Sequence, residues 1–247
     1  MQGLVTIDFG NSNPHAGIFH KVDSSWKFRK AVPWVELHLA LNQYGMDPHN
    51  TALVLAEVKR RESELLPLIE KGYLLTRVKD YWKGGRFAGM PVAYAHSLGE
   101  DRLIEAFYCY KKFKEPLLLI NAGTYVTMDV VSEKGFCGGY IIPGMKSYFA
   151  NYQNAELLKD VSLSIHFKHT LPTTTSEAMS ESYTAFVALA KKLTHEHNIS
   201  KIVLSGGDGE IWEGMLKNER IPQVVESNTH LIHWALQYWM TTQIEPL

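Results

Sequence analysis

Residues 5–12 and 118–125 of this 247-residue chain are built alike. Val5-Thr6-Ile7-Asp8-Phe9-Gly10-Asn11-Ser12 runs β-branched residues into Gly and Asn, which predicts a strand entering a tight turn. Leu118-Leu119-Ile120-Asn121-Ala122-Gly123-Thr124-Tyr125 repeats that design in the middle of the chain. Each is followed by a second candidate strand, over 16–19 in one case and 126–131 in the other. Two strand–turn–strand units predict two related halves, each presenting a polar turn to a shared cleft. The short periods of solenoids and propellers are absent.

Helices alternate with these strands. Leu103, Ile104, Phe107 and Tyr110 recur at helical spacing, with Asp101 and Arg102 at the start and Lys111 and Lys112 at the end, as the helix dipole favours. Tyr183, Phe186, Val187, Ala190 and Leu193 predict one amphipathic helix over 180–196. Residues 201–207 read as a short buried strand ending in a Gly-rich turn, and 210–217 as a helix. The class expected is α/β with mixed sheets.

Composition narrows the function. Twenty-five Lys and Arg against 26 Asp and Glu give a net charge of −1, which argues against a dedicated nucleic-acid partner. Two cysteines, Cys109 and Cys137, cannot build a disulfide framework. No signal peptide and no apolar run of membrane length is evident, so a reduced, soluble, cytoplasmic protein without a membrane partner is expected.

Four segments could carry chemistry. At the end of the first strand, Gly10, Asn11 and Ser12 allow a phosphate chain close to backbone N–H groups, and Asp8 could hold Mg²⁺ beside it. The same pattern also suits an ordinary hairpin with Asp8 capping backbone donors. Gly123, Thr124 and Thr127 repeat both options. Gly99-Glu100-Asp101-Arg102 puts a carboxylate and a guanidinium at a helix N-terminus, where Asp101 could orient and deprotonate a hydroxyl and Arg102 could grip a carboxylate or phosphate. A helix cap with a surface arginine would look the same. Gly206 and Gly207 could let a nucleoside lie on bare backbone, or form a plain strand-to-helix loop. The GxxxxGK[ST], GxGxxG, GxSxG and HExxH patterns are missing. His195-Glu196-His197 reads as a solvated helix end, and the remaining histidines as isolated surface or core residues.

In order, these segments resemble the type III pantothenate kinase family, a branch of the actin, Hsp70 and sugar-kinase superfamily. Asp8 to Asn13 with Gly17-Ile18-Phe19 is similar to DxGN[TS]N…GxF, and Gly99 to Arg102 to GxDR with Tyr94 upstream. Asn121 to Asp129 resembles DxGTAxTxD, 138–144 resembles GGxIxPG, Thr175 with Ala178-Met179 resembles TxxA[IL], and Ser205-Gly206-Gly207 resembles TGG.

The resemblance implies two actin-like (ribonuclease H-like) halves, 1–115 and 116–247, with the nucleotide between them. It implies ATP-dependent phosphorylation of pantothenate, the first step toward coenzyme A, with Mg-ATP, a monovalent cation (K⁺ or NH₄⁺) and a homodimer. Asp101 would act on the substrate hydroxyl, while Tyr94, Gly99, Arg102 and Thr175 would bind pantothenate. Asp8, Gly10, Asn11, Ser12, Gly123, Thr124, Gly206 and Gly207 would bind ATP, with Asp8 and Asn121 on the metal side. A carboxylate at a helix N-terminus should ionise readily, so Asp101 is expected to be a weak base. The chain departs from the pattern at Asn121, Tyr125 and Ser182, where the family has Asp, a small residue and often Gly. A neutral amide brings no charge to a cation. That departure allows a second reading, a weakened family member acting as a regulatory or accessory binding protein.

Overall fold

The computed structural model describes residues 1–156, 158, 161, 171–221 and 223–244. Two compact units divide the chain, one formed by Met1–Lys112 with His230–Leu247 and the other by Phe113–Thr229.

The first unit starts with β1 (Gly3–Phe9), β2 (His15–Val22) and β3 (Ser25–Pro33), then α1 (Leu37–Gln43), β4 (Thr51–Glu57), α2 (Glu62–Glu70) and β5 (Leu74–Arg77). The strands form one sheet in the order β3-β2-β1-β4-β5. β1, β2 and β3 are antiparallel neighbours, whereas β4 and β5 run parallel to β1. Every residue of β4 is buried, as its unbroken run Ala52-Leu53-Val54-Leu55-Ala56 requires of a central strand covered on both faces. A single turn (Val78–Tyr81) and three two-residue strands, β6 (Trp82–Lys83), β7 (Arg86–Phe87) and β8 (Met90–Pro91), precede α3 (Glu100–Lys112).

The second unit repeats the plan with β9 (Leu117–Ala122), β10 (Tyr125–Ser132), β11 (Gly135–Pro143), α4 (Met145–Ala150), α5 (Thr175–Thr184), α6 (Phe186–Glu196), β12 (Lys201–Ser205), α7 (Gly209–Asn218) and β13 (Val224–Ser227). Its sheet has the order β11-β10-β9-β12-β13, with the same antiparallel trio and the same two parallel strands. The two sheets share one topology, as the paired motifs predict. The mixed-sheet α/β class is likewise found.

Two boundaries differ from expectation. The single helix expected over 180–196 is two, because α5 starts earlier and the axis breaks at Ala185. Thr174 caps α5 by accepting the Glu177 N–H at 3.3 Å, and Glu177 Oε2 accepts the Thr173 N–H at 3.1 Å. Near the break, Ser182 and Thr184 donate their hydroxyls back to the carbonyls of Met179 and Glu181, contacts that bend helices. The final helix, α8 (Leu231–Trp239), packs with the first unit although it follows the second in sequence. Its apolar residues Leu231, Ala235, Leu236 and Trp239 are buried, and Trp239 meets Phe87 with ring centroids 5.4 Å apart.

Candidate functional site

In the first unit, β1 carries Asp8 to its carboxyl end, and Gly10, Asn11 and Ser12 form the bend before β2. β2 returns with His15 opposite Asp8. The Asp8 side chain is 14% exposed, and its Oδ1 has no hydrogen-bond partner among the described residues. Burial pushes its carboxyl well above the usual carboxylate range, and the carboxyls of Asp101 and Glu105 push in the same direction. Asp8 therefore lies within the field of two further acids.

Asp101 arrives from the first turn of α3. Its Oδ1 accepts the Arg102 N–H at 2.8 Å, which folds the carboxyl back over Gly99. A Cβ on Gly99 would collide with that Oδ1, so the glycine is needed for this rotamer. The expected low pKa is corrected here. Burial raises the Asp101 carboxyl, outweighing the Arg102 N–H and the Arg102 charge, because desolvation acts on the whole carboxylate and the helix end offsets only part of it. Arg102 is buried rather than a surface residue, and its guanidinium carbon lies 5.2 Å from the Tyr94 ring centroid. Asp8, Tyr94, Gly99, Asp101 and Arg102 are thus brought together in one unit.

The sequence reading missed two groups. Glu105, fully buried, lies one helical turn beyond Asp101, and that i, i+4 spacing of acids was its available signal. His15 and His233 are not isolated. Their ring centroids lie 4.8 Å apart, and His233 Nδ1 is 2.8 Å from Thr6 Oγ1. Burial lowers the pKa of both imidazoles. Nothing local in the sequence joins residue 15 to residue 233.

In the second unit the turn after β9 holds Gly123 and Thr124. The Gly144 N–H and the Ser147 hydroxyl both donate to the Thr124 carbonyl, at 3.0 and 3.1 Å. Asn121 stands in register with Thr127 on one side and Ser205 on the other. Gly206, at φ +86°, presses against the Ala122 carbonyl and Asn121 Oδ1, leaving no room for a side chain, while Gly207 faces open space. The Asp208 N–H donates to the same Ala122 carbonyl at 3.0 Å. Asn121, Gly123, Thr124, Gly206 and Gly207 therefore meet at one sheet end. Thr175 is exposed at the first position of α5.

The acidic group in the first unit fits a magnesium ion that keeps waters and phosphates in its shell. The orphaned Asp8 Oδ1 is one available ligand oxygen, and a cation would relieve the repulsion among Asp8, Asp101 and Glu105. Among the described residues no cluster of three or more His, Cys, Asp or Glu could hold a metal by itself. In the second unit, Thr127 Oγ1 is buried without a described partner, in register with Asn121.

Two sheets of one topology, each ending in a polar turn between its first strands, define an actin-like α/β fold. A protein from Sinorhizobium meliloti described as a 2-dehydro-3-deoxygalactonokinase shares the fold at TM-score 0.63 and 10% identity, covering 99% of this chain and 100% of that one. A protein from Campylobacter jejuni described as a Baf family transcriptional activator does so at TM-score 0.62 and 21% identity, covering 96% and 97%. The family model for type III pantothenate kinase matches residues 4–196, and the chain belongs to that family. The type III pantothenate kinase of Myxococcus xanthus is 31% identical over 172 residues, which are 64% of this chain and 66% of that relative. The chain thus spans just under two thirds of the length of this relative. The resemblance read from the motifs is borne out.

Proposed function

We propose that this protein transfers the γ-phosphoryl group of ATP to the primary hydroxyl of pantothenate, yielding 4′-phosphopantothenate and ADP on the way to coenzyme A. The observation that carries this reading is that Asp101, at the start of α3, acts electrostatically on the buried Asp8 at the end of β1, in a chain of this family. The pantothenate hydroxyl oxygen bonds to the γ-phosphorus, the bond from that phosphorus to the β–γ bridging oxygen breaks, and the hydroxyl proton passes to Asp101. Burial suits Asp101 to that task, since a raised pKa makes it a better proton acceptor than an ordinary aspartate.

Such a transfer depends on positioning and charge neutralisation more than on covalent help. Arg102, with Tyr94 and Gly99, holds the carboxylate end of pantothenate, and Thr175 in the second unit is a further hydroxyl for the substrate. The bend at Gly10 to Ser12 and the bend at Gly123-Thr124 each offer backbone N–H groups to phosphate, and Gly206-Gly207 offers bare backbone to the adenosine. Asp8 holds Mg²⁺, which when bound screens the phosphate charge. Asn121 contributes an amide oxygen to the monovalent-cation position, where K⁺ or NH₄⁺ would sit.

Homodimer formation completes the reading and is supported by Tyr125, Tyr140 and Ile141, exposed on β10 and the edge strand β11. A cytoplasmic site of action goes with the substrates. Among the described residues no helix is long and apolar enough to cross a membrane.

The test is ADP release from Mg-ATP with and without pantothenate, with the phosphorylated product identified by mass. Pantothenate-dependent release with formation of phosphopantothenate is expected. Release indifferent to pantothenate, or none, would overturn the assignment.

A further inference from the structure

Glu100 is the first residue of α3 and directly precedes Asp101. An acidic side chain in the first turn of a helix ordinarily turns back to its own helix's free N–H groups. Glu100 instead reaches away. Its Oε2 accepts the N–H of Glu57, the last residue of β4, at 3.1 Å.

The residue on which it is anchored is itself tied down. Glu57 Oε2 accepts from Arg77 Nη1 at 3.2 Å and from Lys79 Nζ at 3.3 Å, while Oε1 accepts the Arg61 N–H at 3.0 Å. Glu57 lies opposite Phe9 in the β1–β4 ladder, one position beyond the pair Asp8 and Ala56. A continuous chain of bonds therefore runs from the strand carrying Asp8, across β4, to the helix turn carrying Asp101.

We propose that Glu100 is a positioning residue that latches the first turn of α3 to the end of β4, fixing Asp101 against Asp8 for phosphoryl transfer. The placement is costly, because Glu100 is buried beside the Glu57 carboxylate, and Lys79 compensates only in part. Burial pushes its carboxyl up to about 7, yet either protonation state keeps an oxygen able to accept the Glu57 N–H. A residue serving only helix stability would gain more by capping its own turn. Phosphoryl transfer loses steeply with small misplacements of the reacting groups, so a loosened first turn should appear in turnover before it appears in binding.

The inference rests on the pantothenate kinase reading, so its test carries one readout that needs no substrate. Glu100→Ala removes the acceptor, Glu100→Gln keeps one, and Glu100→Asp keeps the charge but falls one methylene short. The alanine and aspartate variants are expected to lose at least tenfold in kcat, with KM for ATP and pantothenate within about twofold. The glutamine variant should stay within about threefold of wild type. Hydrogen exchange of the Glu57 amide and of 101–103 should quicken at least tenfold in the first two variants and little in the third. Alanine within threefold of wild type in kcat, or glutamine failing as far as aspartate in kcat and in exchange, overturns the latch. If alanine does not fold, the glutamine–aspartate contrast alone decides. A protein showing the exchange pattern but no turnover of pantothenate leaves the latch standing and sinks the assigned reaction.

Discussion

His15 stands across the β1–β2 ladder from Asp8, with its Nε2 3.5 Å from Asp8 Oδ2. The other oxygen of that carboxyl is buried without a partner among the described residues, and burial with two nearby acids makes ionisation costly. A cation answers both problems. Mg-ADP should raise the melting temperature of the wild type by several degrees, as expected for a ligand well above its Kd. Asp8→Asn should lose at least half of that shift, yet match or exceed the wild type without ligand at pH 7. A full ligand-induced shift in the variant would remove Asp8 from the metal site.

Asp101→Asn keeps the size and the acceptor oxygen but cannot take a proton. Turnover should fall by a factor of about 10² or more, the usual size for a positioned acid–base group, with the fold intact by circular dichroism. Near-full activity would show that the hydroxyl is activated elsewhere.

Arg102→Lys replaces a planar fork stacked on Tyr94 with a point charge. The Michaelis constant for pantothenate should rise roughly tenfold while that for ATP changes little, since about 1.4 kcal/mol of substrate contact is at stake. An unchanged pantothenate constant would mean that the arginine does not meet the substrate.

At Asn121 the chain lacks the charge that its family carries. Opposite charges in contact attract by about 4 kcal/mol at 4 Å with an effective dielectric near 20, so cation affinity should drop by several tens-fold or more. Activity measured against potassium should therefore fail to saturate in the millimolar range, or ignore potassium altogether. Asn121→Asp should raise turnover or restore saturation. Saturable potassium dependence in the natural protein, together with a neutral or harmful Asn121→Asp, would contradict the role given to this turn.

Stability should depend on pH through Glu100. Its carboxyl titrates at about 7 in the folded chain against 4.5 for an ordinary glutamate. The folded state thus holds a proton that the unfolded state has already lost, and stability falls as pH rises between those values. His15 and His233, with lowered pKa values, act oppositely, because the unfolded chain takes up protons first as pH falls. Comparing Glu100→Gln with wild type isolates the carboxyl. The variant should gain up to about 3 kcal/mol relative to wild type between pH 4 and pH 8 in denaturant melts. Parallel curves for the two proteins would show that Glu100 titrates normally.

The sheet topology was legible because β-branched runs ending in Gly and Asn mark strands and turns locally, and both copies of the pattern could be read. The meeting of Asp101 with Arg102 was legible for the same reason, being written in adjacent residues. What escaped were pairings set by tertiary contact. His15 with His233, and Glu100 with Glu57 and Lys79, join segments with no periodic relation, so no spacing rule could find them. Burial was the other blind spot. The ionisation of Asp101 depends on how far water is excluded, and neighbours in sequence suggested the opposite sign. The split at Ala185 was hidden because hydroxyls at 182 and 184 compete for carbonyls only once the helix exists.

The return of α8 to the first unit sets an order of events at the ribosome. Residues 113–229 are contiguous, so the second unit can close as soon as it has emerged, whereas β1, although made before it, stays without its cover of α8. Leu236 and Trp239 are synthesised after the whole of the second unit, and Thr6 meets its His233 partner only then. A chain that stalls or is clipped before His230 would carry a complete second unit and an open first one. Quality control could therefore sense unfinished molecules by the exposed apolar face of β1, the strand that bears Asp8.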